Sequence, residues 1–555
     1  MTKLKKQTAA NWIGLVCFVA AFICLLWSVI LSFSIDIWYD ELFTMEFAKR
    51  PVGEMLGLAA RDVHPPLYYI IVHVFLTAFN GIGLLGDGAG QIAPEVLAKL
   101  VSVFPFVIIM VYAGTVVRKR FGLLAAGIFS FAIVSMPQMP EYTTEIRMYS
   151  WALLFVTGMM IHGFLLFESF RAGNQKGWDI GNGLALWLYA SASAYTHYYA
   201  ALAAGIIFGM LFVVMLVLFV KAMKSAGKES VSFKAFGMLI ICMNLTAIAY
   251  VPWLSVFLSQ ASAVKANYWI QPVGIRSIGS AIKHLFKGYF VNELVAVVTA
   301  VVFFVIITAL FIKNLLAYIK DRQDRNLFVV LSFLVLPLLV AGGLLASVLL
   351  RPVFVNRYML PAYGCFWLAV AIMISREVEA LFQKKADTEK EKSTVGGKVF
   401  AGLGTALLLL ILVTGIVDYK SFIGNEKYRI VNMEKTLSLF EDISPDTVII
   451  SNFTHVQGLL SYYLNRDSED YKVHLYQEEP EPLIGEMVPG LETIDDPVDI
   501  ANYLEGGKKV LFLGSFNSRE ELVKQWGEEF GIKNENQGSY LMERYWFDVF
   551  ALKNY

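Results

Sequence analysis

The sequence predicts a polytopic α-helical membrane protein that carries a small α/β domain after its last span, and three observations lead there. Of the 555 residues, 57% are apolar and only 17% are charged, with a mean hydropathy of +0.58, so the chain must use lipid as its solvent. Apolar runs long enough to cross a bilayer, which takes about 20 residues, recur up to residue 417. Beyond residue 420 the composition turns soluble.

Charge and cysteines narrow the function classes. The 46 basic and 46 acidic residues balance, which leaves no footprint of a nucleic-acid or polyanion binder. Cys17, Cys24, Cys242 and Cys365 all lie in apolar segments and read as small buried hydrophobes, neither a disulfide framework nor a zinc site. There is no G-x-G-x-x-G, no P-loop and no metal-spaced cysteine pattern, so nucleotide-dependent chemistry has no support.

The elements follow in order. MTKLKKQTAA is basic and precedes an apolar run at 12–34, as in an uncleaved signal anchor with a cytoplasmic N-terminus. Further runs sit near 65–80, 96–117, 122–139, 148–168, 183–199, 200–220, 235–257, 292–312, 327–350, 357–375 and 399–417. Basic clusters at 118–120, Arg171 with Lys176, Lys221 to Lys228, 320–325 and Arg376 to Lys398 are expected on the cytoplasmic side. The loops containing 140–147, 259–290 and 351–357, and everything after 418, then face the other way. A cytoplasmic N-terminus and a cytoplasmic RKR cluster cannot both hold if 65–80 and 96–117 each cross fully. The run at 65–80 is short and opens with Pro-Pro, so it is the candidate for a partial or tilted helix, and about 11–13 spans are expected.

The expected organisation is a membrane module over 1–419 and a soluble extracytoplasmic α/β domain over 420–555. The module includes a first extracytoplasmic loop at about 35–65 and a charged cytoplasmic linker at 376–398. In the domain, DTVIIS, YKVHLY, KKVLFLGS and YWFDVFAL read as strands, and THVQGLLSYYL and SREELVKQWGEEFG as amphipathic helices.

Most of the spans carry no charge, unlike ion-coupled transporters, which mark their pathway with midplane carboxylates or lysines. The unusual polar residues gather instead at the extracytoplasmic helix ends: Asp40 and Glu41; Asp62 and His64; Glu141, Glu145, Arg147 and Tyr149; His197 and Tyr198; Arg351, Arg357 and Tyr358. Singly, Asp40 reads as a helix cap, His197-Tyr198-Tyr199 as an interfacial aromatic belt, and the arginines as lipid-headgroup ligands. Together on one face they read as a reaction centre, because a carboxylate can take a proton from an acceptor hydroxyl and arginines can hold a phosphate bidentately. Val52, Met55, Leu56, Ala59 and Val63 recur at helical spacing, as do Ile275, Ile278, Ile282, Leu285 and Phe286, so interfacial helices are expected on this face.

The order of these motifs resembles a family. W-x-D-E after the first span, D-x-H-P-P-L-Y-Y, E-x-R-M-Y and a late R-P-x-x-x-x-R-Y, over roughly residues 12–375, are similar to the GT-C membrane glycosyltransferases. Within them the chain resembles the branch of the protein O-mannosyltransferases and lipid A aminoarabinose transferases, especially bacterial members of unassigned acceptor. The resemblance implies the GT-C fold at the cell membrane and transfer of a sugar from a polyprenyl-phosphate donor to an extracytoplasmic acceptor, whether glycan, lipid or protein, with inversion. It places the catalytic acid at Asp40, with Glu41 beside it, and a second acid near the donor phosphate at Glu145 or Glu141. Arg147, Arg357 and Arg351 would hold the phosphate, with Tyr149, Tyr358, Asp62, His64, His197 and Tyr198 around donor phosphate and sugar. Where the aminoarabinose transferases have acid-lysine-proline, this chain has Val63-His64-Pro65. A divalent metal is compatible with the superfamily, though no ligand spacing identifies one. The rival reading is a flippase for lipid-linked sugar or polysaccharide.

Overall fold

The computed structural model describes residues 2–86, 88–173, 177–224, 231–263, 270–384 and 395–554. Lys176, the end of the Lys221 to Lys228 cluster and residues 385–394 of the charged linker at 376–398 lie outside the described residues. The chain divides into two compact units, one of Met1–Ile30, Val63–Tyr68 and Leu100–Phe422, the other of Leu31–Asp62, Tyr69–Lys99 and Ile423–Tyr555.

The first unit is a helical membrane bundle. Among the described residues of the chain, nine helices are long and apolar enough to cross a membrane, and Leu67–Gly81 and Leu123–Ser135 are shorter apolar helices. At 1.5 Å per residue, the 15 residues of Leu67–Gly81 reach only about 22 Å, less than the bilayer's hydrocarbon thickness. Helix Ala9–Leu31 exposes Trp12, Val16, Val19, Phe22, Ile23, Leu26 and Ile30 and buries Cys17, Ala21 and Leu25, an apolar lipid face backed by a small-residue packing face. Tyr149–Arg171 and Tyr363–Lys384 form the interior, the latter through a wholly buried apolar stretch.

Between helices in lipid, close backbone approach replaces the hydrophobic effect as the source of attraction. A Cβ on Gly127 would sit 1.9 Å from the Gly14 carbonyl oxygen, and one on Gly364 would sit 1.8 Å from Thr157 Oγ1. Glycine alone allows these two crossings. The run at 399–417 belongs to a longer helix, Val395–Ser438, so the boundary expected at 419–420 falls inside it.

The second unit is built on a six-stranded sheet. Its strands are β1 (Val448–Ser451), β2 (Val473–Tyr476), β3 (Leu491–Ile494), β4 (Val510–Ser515), β5 (Lys533–Met542) and β6 (Tyr545–Lys553), in the order β3-β2-β1-β4-β6-β5. The first four are parallel, and β6 and β5 add on antiparallel. β1, β2 and β4 are buried throughout and read as continuous apolar runs. β5 is polar, exposed along most of its length and bulged between Asn536 and Gly538, as befits a protected sheet edge. The core gathers Ile450, Phe512, Phe550, Ile500 and Trp526.

The early part of the chain contributes helices Tyr39–Ala48 and Val52–Arg61 to this unit. The Tyr39 ring stacks on His455 with centroids 4.0 Å apart, and the Ile37 amide donates to the Tyr463 hydroxyl at 3.0 Å. Two buried acids are neutralised here. Glu95 accepts from Tyr462 at 2.5 Å and from Arg466 at 2.8 Å, and Asp36 pairs with Lys99 at 2.8 Å and Arg429 at 3.1 Å. Burial pushes the Asp36 carboxyl up, but the two cations outweigh it and hold its pKa below the usual carboxylate range.

Candidate functional site

In the membrane unit the predicted residues meet where helices begin. Helix Tyr149–Arg171 starts two residues after Arg147, helix Tyr198–Lys224 starts directly after His197, and the short 3₁₀ stretch Asn356–Ala362 carries Arg357 and Tyr358 into Tyr363–Lys384. His197 is itself the break, with an extended backbone at φ −159° and ψ 137° between two helices. Its Nδ1 accepts the Tyr199 amide at 3.1 Å, so the ring proton resides on Nε2. Ring centroids lie 5.8 Å from His64, 5.6 Å from Tyr149, 5.0 Å from Tyr358 and 6.0 Å from Tyr199.

His197, Arg147 and His64 are all buried. Burial holds the His197 pKa well below the usual range, and His64, Arg147 and Arg357 push it the same way. The ring is therefore neutral. The Tyr149 hydroxyl is buried with no hydrogen-bond partner among the described residues. Helix N-termini carry about half a positive charge each, and here they coincide with two guanidinium groups and an N–H donor. Such an arrangement suits an anion with several oxygens.

The other predicted residues of this unit are placed differently. Glu145 acts electrostatically on Tyr142 and Tyr149. Glu141 accepts from the Tyr289 phenol at 3.4 Å. Tyr198 turns away from His197, donating to the Gln260 side-chain oxygen and accepting from Trp253 Nε1 at 3.3 Å. Arg351 has a buried Nη1 without a hydrogen-bond partner among the described residues, and the loop just after it is pinned by the Val353 and Phe354 amides on Ser347 Oγ.

In the second unit the cluster is acidic. Asp40 lies in the first turn of helix Tyr39–Ala48. Its neighbour Glu41 is buried and accepts the Trp38 amide at 2.9 Å, which is a capping bond. Asp62 accepts from Tyr69 at 3.0 Å. Glu481 is exposed as a residue, yet partial burial of its carboxyl, and then Asp62 and Asp40, raise its pKa above the usual range, while His455 opposes the rise. Asp40, Asp62 and Glu481 therefore share one field, beside the Tyr39 and His455 pair. Among the described residues no group of three or more His, Cys, Asp or Glu side chains is placed to hold a metal ion.

Sequence reasoning missed Glu481 and His455, which come from the C-terminal part of the chain and carry no local signal. It left Tyr199 out of the site although the His197-Tyr198-Tyr199 run was in view. Tyr198 and Tyr199 open helix Tyr198–Lys224, where successive side chains point about 100° apart, so the two tyrosines take different directions.

This architecture, a bundle of membrane helices with a small C-terminal sheet domain, is the GT-C fold. Its solved counterparts include ArnT from Cupriavidus metallidurans. The apo structure of that protein matches with a TM-score of 0.53 and 13% identity over 98% of both chains. Its structure bound to undecaprenyl phosphate matches with a TM-score of 0.50 and 14% identity over 97% of both. The archaeal oligosaccharyltransferase AglB from Archaeoglobus fulgidus, in complex with an inhibitory peptide and a dolichol-phosphate, matches more weakly, at 0.45 and 10% identity over 92% of this chain and 70% of that one. No family model matches the sequence, and neither does any curated protein.

Proposed function

We propose that this protein is a membrane glycosyltransferase that moves a sugar from a polyprenyl-phosphate donor to an extracytoplasmic acceptor, a cell-envelope glycan, lipid or protein, by a single inverting displacement. The observation that carries this reading is the cluster of buried Arg147 and neutral, buried His197 with half-buried Arg357 at the start of membrane helices. The ArnT structure with undecaprenyl phosphate supports the choice of anion.

In the proposed reaction the bond between the anomeric carbon and the phosphate oxygen breaks as the acceptor oxygen bonds to the same carbon from the opposite face. The leaving phosphate is already a stable anion, so it needs fixed positive charge and no proton. Arg147 and Arg357 supply that charge, and Glu145 or Glu141 is the second acid near the donor. Asp40 takes the acceptor's proton, and Glu41 anchors the turn on which Asp40 sits. Residues 1–419 act as the transfer module at the cell membrane, and 420–555 recruit the acceptor on its extracytoplasmic side.

Equilibrium binding of undecaprenyl phosphate to the protein in lipid nanodiscs tests the reading. Wild type should bind, and Arg147→Lys and Arg357→Lys should each bind more weakly. Absence of binding by wild type, or unchanged binding in both variants, refutes it. A flippase would instead move a labelled lipid-linked sugar across vesicles without releasing or transferring the sugar.

A further inference from the structure

The short segment bearing Glu141, Glu145 and Arg147 is fastened at two points by consecutive residues of helix Val395–Ser438. Asp418 Oδ1 accepts the Tyr289 amide at 2.6 Å, and the Tyr289 phenol in turn donates to Glu141 at 3.4 Å. On the other side the Tyr419 hydroxyl donates to the Cys24 carbonyl and lies 2.7 Å from the Ser28 hydroxyl, which lies 2.7 Å from that of Thr143, and Thr143 donates onward to the Pro140 carbonyl at 2.6 Å. One chain of bonds ends on the carboxylate of Glu141, and the other ends on the turn that holds it.

Asp418 is an acid in a membrane helix, 2% exposed, which is costly enough to need a reason. Its second oxygen has no hydrogen-bond partner among the described residues. That oxygen faces Gly288, where a Cβ would lie 3.1 Å from it and 2.9 Å from Thr414 Cγ2. The loop can reach Asp418 only because residue 288 has no side chain. No ion pair to Asp418 occurs among the described residues, so the visible return for burying it is the grip on Tyr289.

We infer that Asp418 and Tyr419 are positioning residues that fix the Glu141–Arg147 segment and so set where Arg147 meets the donor phosphate. The inference rests on the reading that Arg147 holds that phosphate. Asp418→Asn keeps an oxygen for the Tyr289 amide, whereas Asp418→Leu removes it; Tyr419→Phe cuts the other chain and Tyr289→Phe cuts only the link to Glu141.

Two measurements on the full chain in nanodiscs test it: the Kd for undecaprenyl phosphate, and ligand-free hydrogen exchange of peptides covering 139–149. Asp418→Leu and Tyr419→Phe should each raise Kd roughly fivefold and speed exchange in that segment, and Asp418→Asn should do neither. Asp418→Leu combined with Tyr289→Phe should cost little more than Asp418→Leu alone, because both act through one link. Unchanged exchange in Asp418→Leu and Tyr419→Phe overturns the positioning role whatever the ligand. Faster exchange with unchanged Kd, while Arg147→Lys still weakens binding, overturns its tie to the donor. If wild type binds no undecaprenyl phosphate, the functional reading fails and exchange alone decides whether the segment is held this way. Should Asp418→Leu not fold, Tyr289→Phe and Tyr419→Phe carry the same test.

Discussion

The two clusters are built on opposite principles. In the membrane unit Arg147 and His197 are buried at helix starts, and burial, together with His64, Arg147 and Arg357, keeps the histidine neutral. In the sheet-bearing unit Asp40, Asp62 and Glu481 share a negative field, and the response is to raise the pKa of Glu481. On the proposed reading the first arrangement is fixed charge that meets the donor's phosphate. The second is a set of neighbouring carboxyls, with Tyr39 and His455 stacked beside it. On the proposed reading the first cluster serves the donor's phosphate and the second the acceptor's hydroxyl.

The sharpest test of this division is a double dissociation. Asp40→Asn should lower turnover by the ~10²–10⁴-fold typical of a lost general base while leaving undecaprenyl phosphate binding as in wild type; transfer at the normal rate would remove Asp40 from the chemistry. Next in size, Arg147→Lys and Arg357→Lys keep the charge but lose the planar fork, and each should weaken phosphate binding by roughly 10-fold. Equal loss of turnover and binding in all three variants would erase the distinction.

A smaller effect separates the clusters by pH. Glu481 has a raised pKa in the folded protein, so the folded state binds more protons than the unfolded state between the two values, and stability falls as pH rises through that window. Glu481→Gln removes this penalty. Thermal unfolding midpoints should exceed wild type at pH 8, with the gap closing as pH drops below the unfolded carboxyl's titration; a gap independent of pH would mean that Glu481 acts through packing. The smallest change should come from Tyr198→Phe. Its hydroxyl serves Gln260 and Trp253, so stability should fall by about 1 kcal/mol with phosphate binding shifted less than about twofold, and a larger shift would return Tyr198 to the cluster.

Much of the fold was legible in the sequence because lipid imposes a simple rule: long apolar helices, charge at their ends. β1, β2 and β4, which are buried apolar runs, and the largely apolar β6 were legible for the same kind of reason. β3 and β5 were not, since β3, LETI, is half polar and only partly buried and β5, KNENQGSYLM, is an exposed polar edge. The candidate residues were found by type and by shared face, and the structure brings Arg147, Tyr149, His197 and Tyr358 together through the break at His197. What spacing could not show was partnership between distant segments. Glu481 joining Asp40, and Asp418 holding Tyr289, are decided by packing between elements far apart in the chain, 129 residues in the second case.

The seat formed by Arg147, Arg357 and His197 has a kinetic corollary on the proposed reading. Fixed charge that steadies a departing phosphate fits the departed one as well, so the spent lipid phosphate should linger after the sugar has gone. Turnover would then be paced by product escape into the bilayer, slowing as spent carrier accumulates and recovering when it is removed.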